Sequence, residues 1–196
     1  MKRIFDISIS TLTLIVFFPF GLIISLLILF TSKGGIFYLQ ERIGQNATPF
    51  KLIKFRTMKV NAEASGQLTV GMRDPRITSI GYFLRKTKLD EFPQFINVLV
   101  GQMSIVGPRP EVKKYVEMYS EDQKRVLEVK PGITDYASIE YFRENEILGR
   151  ADDPERAYIE KIMPAKIALN MKYIENPGVT QDIRIMWKTF LKIIKR

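Results

Sequence analysis

The sequence contains neither cysteine nor histidine. The absence of cysteine excludes disulfides, thiol nucleophiles and thiolate metal sites. The absence of histidine removes the most common general base and the most common metal ligand. Any catalysis must therefore depend on carboxylates, lysine, arginine, tyrosine, hydroxyl groups, backbone amides or a hard cation such as Mg²⁺ held by oxygen atoms. These groups suit phosphoryl transfer and carboxylate nucleophiles.

Acidic residues are scarce in the first half of the chain. The 196 residues carry a net charge of +9, and residues 1–98 contain 13 Lys and Arg against 6 Asp and Glu, whereas residues 99–196 contain 17 against 15. Most of the excess charge therefore lies in the half that also holds the most apolar segment. Basic charge beside an apolar segment is typical of proteins that bind anionic lipid headgroups or phosphorylated substrates. No nucleic-acid partner is expected, because no zinc, helix-turn-helix or RNP-type signature is present.

The N-terminal segment is the most apolar part of the sequence. The 26 residues between Asp6 and Lys33 carry no charge, and at about 1.5 Å per residue a helix of this length can cross a hydrocarbon core. Pro19 lies near its midpoint and predicts a kink. Both flanks are basic, whereas the positive-inside rule requires an imbalance for a simple span. Three interpretations remain open: a re-entrant helix that returns to the same face, a true span, and a buried core helix.

The C-terminal segment has the pattern of an amphipathic helix. Its apolar positions recur at helical spacing on one face and comprise Ile183, Met186, Trp187, Phe190, Leu191 and Ile194. Its basic positions mark the opposite face and comprise Arg184, Lys188, Lys192, Lys195 and Arg196. Tryptophan on the apolar face and only basic charge on the polar face are typical of a helix in the lipid headgroup plane. The alternative is a helix that closes a soluble core.

The remaining pattern predicts an α+β protein that is mostly helical. Short β-prone runs at Ile36–Leu39 and Phe50–Phe55, separated by a polar stretch, predict a small β-hairpin. A helix is expected at Ser79–Arg85 and another beginning around Asp90. Later helices are expected at Glu111–Tyr119, at Ser120–Val129 with a capping box, from Asp153, where Pro164 predicts a kink, and at the C-terminus. We expect a membrane-associated monotopic domain with a membrane helix over 1–32 and a catalytic domain over 33–196.

The most informative stretch for chemistry surrounds Asp90 and Glu91. An apolar stripe of helical spacing begins just after them, and Pro93 is tolerated only within a first helical turn, so both acids are expected at a helix N-terminus. The dipole there, together with Arg85, Lys86 and Lys88, is expected to lower both carboxyl pKa values and to attract phosphate. On this pattern alone, Asp90 could equally be a helix cap and Glu91 a solvated first-turn acid.

Further cations are candidates for binding phosphate. Arg109 stands between Pro108 and Pro110, and so rigid a loop can present a guanidinium to phosphate with little loss of entropy. The same loop could be a purely structural turn. Lys54 and Arg56 alternate along one strand face and are weaker candidates for the same role.

At these residues the sequence resembles the monotopic phosphoglycosyl transferases, bacterial enzymes that begin the assembly of capsules, exopolysaccharides and glycoprotein glycans. The resemblance covers nearly the whole chain. Its motifs comprise Lys2-Arg3-x-x-Asp6, the Pro19-interrupted helix, Gln40-Glu41-Arg42-x-Gly44, Pro49-Phe50, Lys54-Phe55-Arg56-Thr57-Met58, Leu84-Arg85, Leu89-Asp90-Glu91-x-Pro93-Gln94, Asn97-Val98-Leu99, Met103-Ser104, Gly107-Pro108-Arg109-Pro110 and Pro131-Gly132-Ile133-Thr134. The chain departs from the family pattern at Phe18, at Gln102 and after Thr134.

The resemblance implies both a fold and a reaction. It implies a re-entrant helix, a location at the cytoplasmic face of a bacterial inner membrane, contact with membrane lipid, and a chain that corresponds to the catalytic unit of larger relatives. It implies Mg²⁺, a UDP-sugar donor and a polyprenyl (undecaprenyl) phosphate acceptor, with a possible homo-oligomer. Asp90 and Glu91 become the catalytic pair and the metal ligands. Substrate-binding roles fall to Lys54, Arg56, Arg85 and Arg109.

Two other functions remain open from the sequence. A membrane-anchored binding subunit could use the same basic surface without chemistry. A glycosyltransferase that moves only the sugar would release UDP, whereas a phosphoglycosyl transferase would release UMP. The sugar and the pathway are left open.

Overall fold

The structure is a computed structural model that describes residues 1–62, 66, 68–71 and 74–195. Its helices are α1 (Lys2–Thr31), α2 (Ser79–Thr87), α3 (Gln94–Leu99), α4 (Lys113–Val116), α5 (Glu121–Lys124), α6 (Tyr136–Glu140), α7 (Glu144–Leu148), α8 (Pro154–Ala157), α9 (Met163–Glu175) and α10 (Val179–Ile194). Its strands are β1 (Phe37–Ile43), β2 (Pro49–Phe55), β3 (Ser104–Val106) and β4 (Gly132–Thr134). The mostly helical α+β fold expected from the sequence is confirmed. Arg196 lies outside the described residues.

The expected hairpin is confirmed and is longer than predicted. Strands β1 and β2 pair antiparallel, with Phe37 opposite Phe55 and Ile43 opposite Pro49. Phe50 and Leu52 of β2 are buried on one face of the strand, because alternate residues of a strand point to the same face. Phe55, on the opposite face, is buried against Ile24 and Ile28 of α1, so β2 contributes to the core on both of its faces.

A second, parallel pair joins two distant loops. Strands β3 and β4 pair in parallel, and their backbones approach so closely that a Cβ on Gly132 would lie 2.1 Å from the backbone N of Gly107. Only glycine permits this approach. The contact fixes the segment that leads into Arg109, two residues beyond Gly107.

Helix α1 continues through Pro19, and both of its ends contact the rest of the protein. Near its start, Asp6 is buried and accepts hydrogen bonds from Ser104 Oγ (2.8 Å) and from the backbone N of Ile105 (3.2 Å). Near its end, Ile24 and Ile28 are buried in a cluster with Phe55 and Leu84. Helix α1 is long and apolar enough to cross a membrane.

Most of the apolar side chains of α1 do not pack against the protein. Ile15, Phe18 and Phe30 are among those that are more than half exposed. A buried core helix, one of the three interpretations of this segment, is therefore wrong. An exposed apolar surface of this extent favours membrane association.

Helix α10 buries a different stripe from its predicted apolar face. Asp182 and Ile185 are buried, whereas Ile183, Trp187 and Phe190 are all more than half exposed. Most of the predicted apolar face is therefore exposed, although Met186 packs against the core beside Ile185. An exposed apolar stripe that contains tryptophan remains compatible with a helix in the headgroup plane.

Other predicted helices are found with different bounds. The segment expected as Glu111–Tyr119 forms only the short helix α4, and Ser120 caps α5 with the expected capping box, after which a 3₁₀ turn covers Arg125–Glu128. Asp153 caps α8 as predicted, and the chain then passes through a π-helical turn over Tyr158–Ile162 before α9. The capping residues of these helices were thus predictable from the sequence, whereas the lengths of the helices depend on tertiary packing.

Candidate functional site

A cleft of about 910 Å³ brings together all six residues singled out from the sequence. Its walls come from the hairpin, α2, the segment before α3, the loop after β3, and parts of α6, α7, α9 and α10. The six residues are Lys54, Arg56, Arg85, Asp90, Glu91 and Arg109. Residues separated by more than fifty positions therefore share one cavity.

Asp90 and Glu91 lie in a short turn between two helices. Lys88 ends α2 with a positive φ of 60°, a 3₁₀ turn spans Leu89–Glu91, and Pro93 is the N-cap of α3. The expected placement beside a helix N-terminus is thus correct, with both acids inside a 3₁₀ turn that precedes the helix. The left-handed residue and the proline bracket the pair and fix its backbone.

Glu91 is held by two cations. Its carboxylate accepts two hydrogen bonds from the guanidinium of Arg109, one of them 3.0 Å from Nη1 to Oε2, and Lys54 Nζ lies 3.9 Å from Oε1. Burial alone would raise the pKa of Glu91, but Arg109 and Lys54 outweigh it and lower that pKa far below its usual range. Glu91 is therefore a fixed anion at neutral pH.

Asp90 differs from its neighbour in both contacts and ionisation. It is buried, and its Oδ1 has no hydrogen-bond partner among the described residues. Burial and the charge of Glu91 raise the pKa of Asp90, against the opposing effect of Lys54, Arg85 and Lys88. The expectation that nearby cations lower both carboxyl pKa values is therefore right for Glu91 and wrong for Asp90. An unpaired carboxylate with a raised pKa in a basic cleft is well suited to act on an incoming ligand.

Lys54 is the most strongly perturbed cation in the cleft. Burial lowers the pKa of Lys54 from 10.5 to about 7; the negative charge of Glu91 opposes this shift, and repulsion from Arg109 and Arg42 adds to it. The lysine therefore changes charge near neutral pH. A bound anion would stabilise its protonated form, because opposite charge raises a lysine pKa.

Arg109 binds Glu91 in this structure, which differs from the expected guanidinium free for phosphate. Burial opposes its charge, but Glu91 and Asp135 raise the pKa of Arg109 further above its ordinary value. Asp135 also accepts a hydrogen bond from the backbone N of Arg109 (3.0 Å). The proline-flanked loop is thus tied to Asp135 through its backbone, and its guanidinium orients a carboxylate.

The two remaining predicted cations have structural contacts as well as cleft exposure. Arg85 Nη2 donates to Thr69 Oγ1 (2.8 Å), and Arg56 donates to the carbonyl oxygens of Gly35 and Phe37 (3.0 and 3.1 Å). The positive charge of Arg85 also opposes the rise in the pKa of Asp90. Both guanidinium groups retain further donors, so both can contact an anion in the cleft.

Sequence reasoning missed a second group of charged residues in the same cleft. Glu111 accepts hydrogen bonds from Arg42 (3.0 Å) and from the hydroxyl of Tyr158, and Lys166 donates to Glu144 (2.8 Å). Burial would raise the pKa of Glu111, but Arg42 and Lys166 lower it. Only Arg42 lies in a motif noted above. The others lie on segments far apart in sequence, where no local pattern marks them.

The donor set is compatible with Mg²⁺ bound largely by a substrate. Among the described residues no group of three or more acidic residues could hold a metal ion by itself. Mg²⁺ is commonly held by one or two carboxylates together with substrate phosphates and water. Asp90 has the unpaired oxygen for such a bond, whereas Glu91 is occupied by Arg109.

The chain is similar to proteins from several bacteria. It is 38% identical over 195 residues to the UDP-glucose:undecaprenyl-phosphate glucose-1-phosphate transferase of Escherichia coli, covering 98% of this chain and 40% of that protein. It is 36% identical over 204 residues to the exopolysaccharide production protein PSS of Rhizobium leguminosarum, covering 100% of this chain and 96% of that protein. A putative undecaprenyl-phosphate N-acetylgalactosaminyl 1-phosphate transferase of Bacillus subtilis is 43% identical over 122 residues, which are 62% of this chain and 68% of that protein.

The extent of these matches differs between relatives. The chain spans about 40% of the length of the Escherichia coli and Klebsiella pneumoniae transferases. The family model described as bacterial sugar transferase matches residues 1–196. Together with the motifs gathered in the cleft, this match shows that the chain belongs to the bacterial sugar transferase family.

Proposed function

We propose that this chain transfers a sugar phosphate from a UDP-sugar to undecaprenyl phosphate at a membrane, through a covalent intermediate on Asp90. The names of the relatives above supply the substrate classes. The observation that carries the proposal is the buried, unpaired Oδ1 of Asp90 in a cleft lined by cations. The chain lacks histidine and cysteine, and among the nucleophiles that remain a carboxylate suits attack on phosphorus.

The proposed reaction has two displacement steps. The Asp90 carboxylate attacks the phosphorus that bears the sugar, the bond to the bridging oxygen breaks, and UMP leaves with the electron pair. A phosphate oxygen of the acceptor then attacks the same phosphorus and breaks its bond to Asp90, which regenerates the carboxylate. The product is a polyprenyl diphosphate sugar, and no oxidant or further reactant is needed.

The other residues of the cleft prepare these steps. Lys54, Arg85 and Lys88 surround Asp90 electrostatically and would attract the diphosphate. Glu91, fixed by Arg109, keeps an anionic charge beside Asp90, which raises the pKa and with it the basicity of Asp90. Mg²⁺, held by Asp90 and the substrate phosphates, would neutralise negative charge on the diphosphate.

Helix α1 would place Asp90 near the lipid-linked acceptor. Phe17 of α1 stacks on Phe92, with ring centroids 3.7 Å apart, and Phe92 follows Asp90 and Glu91 directly in the chain. Both ends of α1 contact the same folded part of the protein that follows the helix. This supports a re-entrant helix with both ends at the cytoplasmic face. The exposed stripe of α10 would lie in the same membrane surface.

The test uses the full chain in lipid nanodiscs with Mg²⁺, polyprenyl phosphate and a panel of UDP-sugars. We expect UMP release, and a phosphosugar mass on the Asp90 peptide when the acceptor is withheld. Asp90→Asn should abolish both, whereas Asp122→Asn, a change of the same type at an exposed position, should leave both unchanged. Release of UDP would indicate transfer of the sugar alone. No nucleotide release with any donor would favour a binding subunit.

A further inference from the structure

The cleft has two regions of different charge. Near Asp90, the cations Lys54, Arg85 and Lys88 all act to lower the pKa of the carboxyl. In another part of the cleft lining the charges are paired: Lys166 Nζ lies 2.8 Å from Glu144 Oε2, and Arg42 Nη1 lies 3.0 Å from Glu111 Oε1. Two acids and two bases give this second region no net charge. We call these four residues the paired wall.

The paired wall lies beside the groups that fix Glu91. Glu144 is close enough to Arg109 to raise its pKa, and Arg109 binds Glu91. Tyr158 joins the two pairs, because its hydroxyl donates to Glu111 and its ring lies 5.2 Å from Lys166 Nζ. The paired wall is therefore adjacent to the Asp90 end of the cleft.

The paired wall retains unused hydrogen-bonding capacity. The ion pair with Lys166 uses one carboxylate oxygen of Glu144, and an ammonium group has three donors. Ser138 also lines the cleft, and its buried Oγ has no hydrogen-bond partner within the described ranges. A buried hydroxyl without a partner is costly unless a ligand supplies one.

A UDP-sugar has two parts that suit these two regions. Its diphosphate is anionic and favours the cations around Asp90, whereas its sugar is neutral and rich in hydroxyl groups. Carboxylate and ammonium groups form strong hydrogen bonds with hydroxyls, and a region without net charge does not compete for the diphosphate. The anomeric oxygen of the sugar is bonded to the phosphorus that Asp90 would attack, so the site of the sugar must adjoin Asp90.

We propose that Glu144, Lys166 and Ser138 form the subsite for the sugar of the donor and determine which sugar is accepted. This inference rests on the proposed function for the identity of the donor. It assigns the uridine to a different part of the cleft. Removing one of these polar groups should therefore change the discrimination between sugars and leave the affinity for UMP unaltered.

The test measures donor affinity by calorimetry, in the full chain carrying Asp90→Asn so that no donor is consumed. The probes are UMP, UDP-glucose, UDP-galactose and their two N-acetylated counterparts. The chain with only Asp90→Asn should distinguish the best from the worst donor by about tenfold or more. Adding Glu144→Gln or Ser138→Ala should reduce this ratio by about threefold or more, with UMP affinity constant within about twofold.

Two controls separate binding from folding. Ser138→Ala removes an oxygen that makes no hydrogen bond in the described protein, so a loss of discrimination cannot arise from a broken structural contact. Glu140→Gln, an exposed change two residues from Ser138 on the same helix, should have no effect. Equal affinity of the starting chain for all donors, an unchanged ratio in both variants, or an equal loss of UMP affinity would overturn the inference. Because affinity is measured without turnover, these outcomes are distinct from a failure to release UMP.

Discussion

Two adjacent carboxylates behave differently because their contacts differ. Glu91 is paired with Arg109 and Lys54, and its pKa is lowered, whereas Asp90 is buried without a partner for Oδ1, and its pKa is raised. The sequence identified the pair but predicted that both would be lowered. The difference arises from burial and from the charge of one acid on the other, which depend on tertiary packing.

The first residue-scale prediction concerns pH. Ionisation of Asp90 should raise kcat/KM on the acid side, and loss of the Lys54 charge as pH rises through about 7 should lower it on the alkaline side. Lys54→Arg keeps a cation at all these pH values. We therefore expect initial rates at low donor concentration, measured from pH 5 to 9, to lose their alkaline decline in this variant. An identical decline in both proteins would assign it to another group.

The second residue-scale prediction concerns Arg109. Arg109→Lys retains the charge but loses the bidentate contact with Glu91, so Glu91 should become mobile. We expect kcat/KM to fall roughly tenfold or more, on the order of 1–3 kcal/mol. Steady-state kinetics with Arg125→Lys, at an exposed position, provides the matched control. Unchanged kinetics would reduce Arg109 to a residue that only shapes its turn.

Sequence patterns located this site only in part. Asp90, Glu91 and Arg109 stand in short local motifs that the sequence displays directly. The contacts of Glu111 with Arg42 and Tyr158 join positions 69 and 47 residues apart. Such contacts depend on how the helices pack against one another, and a local sequence pattern cannot predict this packing. The same reason explains why α4 is shorter than predicted.

At the scale of elements, α1 is tied into the protein by polar groups near its start. Asp6→Ala should remove two buried hydrogen bonds to Ser104 and Ile105 and lower stability by about 1.5–3 kcal/mol. Thermal unfolding of both proteins in the same lipid should show a fall in Tm of several degrees. Ser10→Ala is the matched control on the same helix, because the buried Ser10 Oγ has no partner in the described structure. An equal fall in the two variants would refute a specific role for Asp6.

The proposed re-entrant course of α1 provides a second test at this scale. We expect a cysteine added before Met1 and Lys33→Cys to react with an impermeant thiol reagent from the same, cytoplasmic side. The chain has no native cysteine to confuse the labelling, and Lys33 is exposed. The ion pair of Lys2 with Asp182 makes Lys2 a poorer labelling position. Labelling of the two positions from opposite sides would establish a true span.

At the scale of the whole molecule, the fluorescence of a single residue, Trp187, can test the proposed orientation on the membrane. Trp187 is the only tryptophan, and 59% of its surface is exposed. If α10 lies in the headgroup plane, spin labels placed near the lipid headgroups should quench Trp187 fluorescence more than labels near the bilayer centre. Trp187→Phe supplies the blank. Stronger quenching from the bilayer centre, or none at either depth, would contradict this orientation.

The stacking of Phe17 on Phe92 has an energetic consequence for the proposed lipid acceptor. A prenyl chain drawn out of a bilayer into water would lose about 0.8 kcal/mol for each CH₂ group, so ten such groups would already cost about 8 kcal/mol. Asp90 lies only two residues from an aromatic ring packed on α1. If α1 lies in the membrane as proposed, the acceptor's phosphate would reach Asp90 while its tail stays dissolved among the lipids. Protein and acceptor would then meet by lateral diffusion in two dimensions, and the rate should depend on the acceptor's mole fraction in the lipid and not on its bulk concentration.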